Sequence, residues 1–221
     1  MDQTLQEAYD RLFAAYGPRH WWPADSPFEV IVGAVLVQNT SWENVRRAID
    51  NLRRNDLLEP HALHDVPLEE LEELIRPAGY YRVKARRLRH VLDFLVDRYD
   101  GCLEAMFQTS LGELRAQLLR VHGVGPETAD SILLYAGGLP TFVVDAYTYR
   151  VVTRHGWLGF DADYYAIQDH FQSGLPEDVQ LYNEYHALLV EVGKRHCRKK
   201  PVCQGCPLAD LLPAGGPLEP E

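Results

Sequence analysis

Long apolar runs, internal repeats and low-complexity segments are all missing from this sequence of 221 residues. No apolar stretch is long enough to cross a bilayer, which argues against a membrane-spanning protein. The N-terminus has no basic segment followed by an apolar one, so we expect no secretory leader and place the chain in the cytoplasm. A composition with 46% hydrophobic and 24% charged residues is that of an ordinary globular protein.

Positive charge is also scarce, because 22 Lys and Arg residues face 32 Asp and Glu residues, giving a net charge of −10. Excess acid argues against a nucleic-acid partner, but the distribution of charge matters more than its total. Basic residues gather in two segments, RVKARRLRH from Arg82 and KRHCRKK from Lys194. These two clusters predict salt-sensitive DNA binding, or alternatively two solvated helix faces.

Apolar residues at helical spacing dominate the rest of the chain and predict an all-α fold. Thr40 and Glu43 predict a capping box at the start of one helix. Two segments, EVIVGAVLVQ and TFVVDAY, are nearly continuous in apolar residues, so periodicity alone does not separate helix from strand. We expect a buried helix for the first and a short extended linker for the second.

The segment HGVGPETAD, residues 122–130, predicts a tight turn between two helices. Pro126 suits the first position of the second helix. Gly123 and Gly125 permit positive φ and a close approach of another molecule to the backbone. Backbone N–H groups at the start of the second helix then form a candidate phosphate site, with an ordinary helix corner as the alternative.

Asp145 follows LPTFVV and precedes a helical pattern, so its carboxylate is expected to cap that helix. Only one helix and one turn separate it from the hairpin. A carboxylate near a phosphate site repels the ligand, so we infer that it stabilises a cationic transition state.

Cysteine is rare, and three of the four cysteines share one short segment, CRKKPVCQGC. Their spacing, Cys197, Cys203 and Cys206, indicates a metal or an iron–sulfur cluster rather than a disulfide in an intracellular protein. Three ligands are one fewer than clusters and structural zinc prefer, so three incidental thiols are the alternative. Cys102 stands alone and is expected in the core.

Three of the four tryptophans lie near the N-terminus, in HWWP (Trp21, Trp22, Pro23) and at Trp42. They are either core residues or the lining of a pocket for a flat, electron-poor ligand. Gln38 and Asn39 follow the apolar helix and are expected at a loop tip. There they either form a turn or fill a gap in a duplex.

These motifs, in this order along residues 20–212, resemble the helix-hairpin-helix DNA glycosylases of the endonuclease III superfamily. WWP, LVQNTSW and GYYRVKARRL are most similar to the bacterial 3-methyladenine DNA glycosylase branch. The resemblance implies two helical domains flanking a DNA-binding cleft, with a C-terminal cysteine cluster loop at residues 197–212. One domain spans residues 25–138, and the other combines residues 1–24 with 139–221.

The resemblance also implies roles for individual residues. Asp145 falls on the catalytic aspartate, and Glu127 falls where lyase-competent relatives carry a lysine. DNA contacts are expected at the following positions: Gln38, Asn39, Arg82, Lys84, Gly123, Val124 and Gly125. A monovalent cation at the hairpin is a further expectation, and Asn39 is favoured to fill the gap left by a flipped base.

The cysteine motif departs from its relatives, because Leu212 stands where the fourth cysteine is expected. Asp210 is a candidate oxygen ligand; otherwise a 4Fe-4S cluster keeps an open position, is partly degraded or is absent. We still expect the cluster.

Together these features predict a nucleoid-associated, monomeric and monofunctional glycosylase that removes alkylated purines such as 3-methyladenine from duplex DNA. The alternatives are a glycosylase/lyase on oxidised pyrimidines, a thymine or uracil mismatch glycosylase and a non-catalytic DNA-binding module.

Overall fold

The computed structural model describes residues 2–220, and these residues form helices and connecting loops without any β-strand. The all-α prediction is therefore confirmed. Twelve α-helices are found in this range: α1 Gln3–Tyr16, α2 Pro27–Leu36, α3 Trp42–Arg54, α4 Pro60–His64, α5 Leu68–Leu74, α6 Tyr81–Tyr99, α7 Leu103–Phe107, α8 Leu111–Leu118, α9 Pro126–Ser131, α10 Ala146–Arg154, α11 Tyr164–Gly174 and α12 Val179–Arg195. Short 3₁₀ segments lie at Arg76–Ala78 and Ala209–Leu211, and a π-helical turn, Ile132–Ala136, follows α9 directly.

The chain divides into two compact units. The central unit is Trp22–Leu139, and the terminal unit combines Met1–Trp21 with Pro140–Glu221. In the central unit, helix α2 is buried along almost its whole length, which confirms the expected buried helix. It contacts α3, α6 and α9, and the apolar faces of these helices form the core of the unit.

The terminal unit is built on α12, which packs against both α1 and α10. Gly193 makes close packing possible, since a Cβ built there would lie 2.4 Å from Tyr147 Cδ1 of α10. The predicted extended linker TFVVDAY is confirmed for residues 141–145, which are non-helical, whereas Ala146 and Tyr147 already belong to α10. This arrangement presents Asp145 at the start of a helix that packs firmly on its neighbour.

Two local predictions are wrong. Helix α3 begins after Ser41, whose side chain makes no capping hydrogen bond, so Thr40 and Glu43 do not form the expected capping box. Glu43 instead forms an ion pair with Arg46 one turn later. Cys102 is exposed rather than buried in the core, because it precedes the short helix α7 at the surface.

Candidate nucleic-acid interface and carboxylate site

The hairpin joins α8 to α9 in the central unit, as its sequence predicts. Gly123 has φ of +93°, the left-handed region that favours glycine. A Cβ built on Gly123 would lie 2.3 Å from Arg87 Cγ, so the arginine side chain covers this residue. Gly125 is exposed, and a Cβ built there would meet nothing within 4 Å. One side of the hairpin is thus closed by Arg87, whereas Gly125 leaves open backbone where a phosphate can approach.

The loop between α2 and α3 holds its two amide side chains differently. Asn39 is exposed and has φ of +54°, a conformation that asparagine tolerates better than most residues. Gln38 is half-buried, and its Nε2 atom donates to the Gly123 carbonyl oxygen at 3.1 Å and to Thr128 Oγ1 at 2.9 Å. Asn39 therefore faces solvent, while Gln38 is bonded to the hairpin.

The basic segment of α6 contains side chains in contrasting environments. Arg82 is exposed, with its Nε atom 3.6 Å from Glu72 Oε2. Lys84 is only 1% exposed, and its Nζ atom donates to the carbonyl oxygens of Leu36 at 2.9 Å and Ala78 at 2.8 Å. Burial lowers the pKa of Lys84 to about 8. The expected DNA contact by Lys84 is therefore wrong, because this amine binds the backbone at the end of α2.

An aromatic group in the central unit brings together two of the predicted pocket residues. The rings of Trp22 and Trp42 meet edge to face, with centroids 5.0 Å apart and an interplanar angle of 89°. Tyr135, in the π-helical turn, lies 5.3 Å from the Trp22 ring. Trp22 also lies against Gly33 of α2, where a Cβ would be 3.3 Å from its ring. Sequence reasoning missed Tyr135, since a π-helical turn has no recognisable pattern.

Trp21 and Pro23 are the other two predicted pocket residues. Trp21 belongs to the terminal unit, where Lys194 of α12 lies over its ring with Nζ 5.8 Å from the centroid. Pro23 is exposed. The boundary between the two units thus falls between Trp21 and Trp22, and the Trp21 ring contacts a cation.

Asp145 caps α10, as predicted. Its Oδ1 atom accepts hydrogen bonds from the backbone N–H of Thr148 at 2.7 Å and from Thr148 Oγ1 at 2.9 Å. Thr148 is fully buried, which fixes this side of the carboxylate. The sequence could have indicated Thr148, because a capping aspartate accepts a hydrogen bond from the backbone N–H two or three positions later.

The second carboxylate oxygen faces a buried imidazole. His186 Nε2 of α12 lies 3.8 Å from Asp145 Oδ2, and the two side chains are 7% and 12% exposed. Burial lowers the pKa of His186, Lys194 lowers it further, and Asp145 opposes the shift. A neutral imidazole therefore lies beside the carboxylate at neutral pH. No sequence pattern indicates His186, because it lies 41 positions from Asp145 on a helix of otherwise ordinary pattern.

Glu127 lies in the first turn of α9 and is exposed. The side chain at this position of the hairpin helix is a carboxylate, which has no amine to attack a sugar.

The three cysteines of the C-terminal motif lie near one another, since Cys197, Cys203 and Cys206 line one small cavity of about 20 Å³. Burial raises the pKa of the Cys206 thiol, and its two cysteine neighbours raise it further.

The expected fourth ligand is wrong. Asp210 is exposed, and its carboxylate pairs with Arg11 at 3.0 Å rather than facing the thiols. Leu212 lines the cavity instead. Among residues 2–220, no group of three or more His, Cys, Asp or Glu side chains is arranged to hold a metal ion. A cavity of this volume has room for about one water molecule. The three cysteines thus match three of four cluster ligands in residue type, but their arrangement in the loop would have to change to hold a cluster.

No helix within the described range is both long and apolar enough to cross a membrane.

Comparison with known proteins gives one consistent result. Residues 32–177 match the family model described as HhH-GPD superfamily base excision DNA repair protein. A putative DNA repair glycosylase of Methanocaldococcus jannaschii is 49% identical over 211 residues, covering 95% of this chain and 96% of that protein.

Two solved structures are similar to this one. The crystal structure of the Helicobacter pylori 3-methyladenine DNA glycosylase bound to 1,N6-ethenoadenine has a TM-score of 0.76 at 29% identity, covering 88% of this chain and 98% of that chain. A trapped covalent endonuclease III–DNA intermediate has a TM-score of 0.81 at 27% identity, with 97% of each chain covered. The chain therefore belongs to the HhH-GPD superfamily of base excision DNA repair proteins, and it is a DNA glycosylase with an endonuclease III-like fold.

Proposed function

We propose that this glycosylase is monofunctional and hydrolyses the N-glycosidic bond of alkylated purines such as 3-methyladenine in duplex DNA. The observation that carries the substrate class is the contact between Trp22 and Trp42, supported by Tyr135. A purine methylated at a ring nitrogen is cationic and binds aromatic faces with about 0.5–2 kcal/mol. Similarity to a 3-methyladenine DNA glycosylase over 88% of the chain supports the same class.

In this proposal Asp145 carries the chemistry. The cap bonds from Thr148 hold one oxygen of the carboxylate, so the other oxygen has a fixed direction. A fixed anion stabilises the oxocarbenium-like sugar that forms as the base leaves, and it orients the attacking water. A cationic base is already a good leaving group, so the reaction requires no strong general acid.

Glu127 supports hydrolysis without strand cleavage. A lyase needs an amine that forms a Schiff base with the sugar. A carboxylate in the first turn of α9 cannot form this adduct. Water is then the nucleophile, and the product is an abasic site in an intact strand.

DNA binding is assigned to the hairpin and the loop before α3. Gly123 and Gly125 would hold a phosphate through backbone groups, which positions the duplex without reading its sequence. The expected contact through the Val124 N–H is wrong, because this group donates to the Val121 carbonyl oxygen at 3.0 Å. Asn39, exposed at its loop tip, would fill the gap left by the flipped nucleotide. The proposal includes a monovalent cation beside the hairpin, a phosphate contact by Arg82 and action as a monomer.

The proposal extends to an iron–sulfur cluster in the C-terminal loop. Cys197, Cys203 and Cys206 would hold it through three positions, leaving the position beside Leu212 without a protein ligand. Such a cluster would stabilise the loop of residues 197–212. Iron and sulfide analysis of anaerobically purified protein tests this point. Cys206→Ser should abolish the iron, whereas Cys102→Ser, at an exposed thiol, should not; iron-free wild-type protein would contradict the extension.

The first test is chromatography of the bases released from a duplex treated with a methylating agent. We expect 3-methyladenine in the supernatant and strands that break only after alkali. An oxidised duplex of the same sequence is tested in parallel. Release of an oxidised pyrimidine from it, together with a borohydride-trapped adduct, would instead favour a glycosylase/lyase. Trp42→Leu should slow release, whereas the same substitution at Trp157, which packs on His155, should not.

A further inference from the structure

We infer that Gln38 is a positioning residue that fixes the hairpin for phosphate binding and does not itself enter the duplex. This inference rests on the proposed use of the hairpin as the phosphate-binding element. It assigns different roles to two neighbouring amide side chains, Gln38 and Asn39, and gives a physical reason for favouring Asn39 in the gap.

The Gln38 side chain joins three elements of the central unit. Its Nε2 atom donates to the Gly123 carbonyl oxygen at 3.1 Å in the hairpin turn and to Thr128 Oγ1 at 2.9 Å in α9. Its Oε1 atom accepts a hydrogen bond from Arg87 Nη1 of α6. A glutamine amide has two N–H donors and one carbonyl acceptor, so both ends of this side chain are engaged.

Arg87 makes the connection specific to the turn. Its methylene groups cover Gly123, leaving no space for a Cβ, while its guanidinium bonds to Gln38. Gly123 is therefore held in two ways. Its carbonyl oxygen accepts a hydrogen bond from Gln38, and the Arg87 side chain packs against it. Because free backbone N–H groups bind a phosphate only when they point in a common direction, this support sets the geometry of the phosphate site.

Gln38 cannot both enter a duplex and keep these bonds. Insertion would break its hydrogen bonds to Gly123, Thr128 and Arg87, and so release the hairpin when the hairpin must hold DNA. Asn39 has no such bonds among the contacts described and is exposed at the tip of the same loop. Asn39 therefore contacts the DNA, and Gln38 supports the hairpin.

The experiment compares Gln38→Leu with Thr128→Val and with the double variant. Thr128 is 6% exposed within α9, so it does not reach into a duplex. We expect each single variant to weaken binding of an undamaged duplex about tenfold, which corresponds to about 1.4 kcal/mol, measured by fluorescence anisotropy. The double variant should lose little more than either single variant, because both remove the same connection.

Hydrogen exchange of the DNA-free protein is measured in parallel. Gln38→Leu should speed amide exchange in residues 122–128, whereas Gln108→Leu, at an exposed position of the same unit, should not. Thermal melting identifies a variant that does not fold, in which case Thr128→Val and Arg87→Gln carry the test.

Two results would overturn the inference. One is unchanged hydrogen exchange in the hairpin together with unchanged affinity of Gln38→Leu for undamaged DNA. The other is a loss confined to lesion-containing duplexes, which is the behaviour we expect of Asn39→Ala. Failure of the wild-type protein to bind any duplex would refute the proposed DNA-binding role of the hairpin, while hydrogen exchange would still decide whether Gln38 fixes the turn.

Discussion

The hairpin of the central unit and the carboxylate of the terminal unit are held in place by different means. At the hairpin, Gln38 donates a hydrogen bond to the turn, Arg87 packs on Gly123 and donates to Gln38, and Gly125 stays open. At the carboxylate, Asp145 is held by Thr148 of its own helix, and its side chain is only 12% exposed. In the proposed function, the first site presents backbone to the phosphates of a duplex, whereas the second fixes a single anion in partly buried surroundings.

This contrast predicts different consequences for substitutions in the two regions. Changes at the hairpin should alter the affinity for duplex DNA, because phosphate contacts supply most of the binding energy. Changes at Asp145 should alter the rate of base release, because the carboxylate acts on charge that develops in the transition state.

Asp145→Asn should lower the rate of base release by about 10³-fold, within the range expected for loss of a positioned acid–base group. The amide keeps the shape of the side chain but has no negative charge to stabilise the sugar. Affinity for the same duplex should change by less than about threefold, as expected for a group that acts in the transition state. If Asp145→Asn keeps more than a tenth of the wild-type rate of base release, the assignment of the chemistry to Asp145 is contradicted.

Asp130→Asn should lower the free energy of unfolding by about 3 kcal/mol, as expected when one partner of a buried ion pair is removed. Arg115 of α8 binds both carboxylate oxygens of Asp130 in α9, at 2.7 and 2.9 Å, and Asp130 is fully buried. The pair therefore joins the two hairpin helices. Urea denaturation measures the effect, with Asp97→Asn on the exposed face of α6 as the control.

Two buried bases should make the stability of the two regions rise with pH in different windows, one alkaline and one acidic. Burial lowers the pKa of Lys84 from 10.5 to about 8, so the unfolded chain binds more protons between these values and stability rises with pH there. For His186 the pKa is lowered from 6.5, so stability falls as the pH drops below that value.

Lys84→Met should flatten the alkaline rise, and His186→Phe should flatten the acid loss. Urea denaturation at a series of pH values measures both. Unchanged slopes in the two variants would mean that these groups do not determine the pH dependence.

Gly123→Ala should weaken duplex binding about tenfold, or about 1.4 kcal/mol. Its φ of +93° and the contact with Arg87 leave no relaxed position for a methyl group. Gly125→Ala has neither obstacle, so it should preserve the melting temperature but add a methyl group to the open backbone and weaken binding. Gly112→Ala, in α8 and open to solvent, is the control and should leave binding unchanged.

Local chemistry explains which features could be predicted from the sequence. The hairpin, the cap at Asp145 and the buried helix α2 each depend on residues close together in the chain, such as glycine before proline or aspartate before a helix. Lys84 was misjudged because its amine bonds to Leu36, 48 positions away, and a run of basic residues does not reveal such a partner. Asp210 was misjudged for the same reason, since Arg11 is 199 positions away.

The most direct test is single-turnover base release from one methylated duplex, measured over a range of enzyme concentrations for wild type, Asp145→Asn and Gly123→Ala. The maximal rate reports the chemistry, and the concentration at half-maximal rate reports duplex binding. We expect Asp145→Asn to lower only the maximal rate and Gly123→Ala mainly to raise the half-maximal concentration. If both variants change the same quantity, or if wild type releases no base, the assignment of binding to the hairpin and chemistry to Asp145 is contradicted.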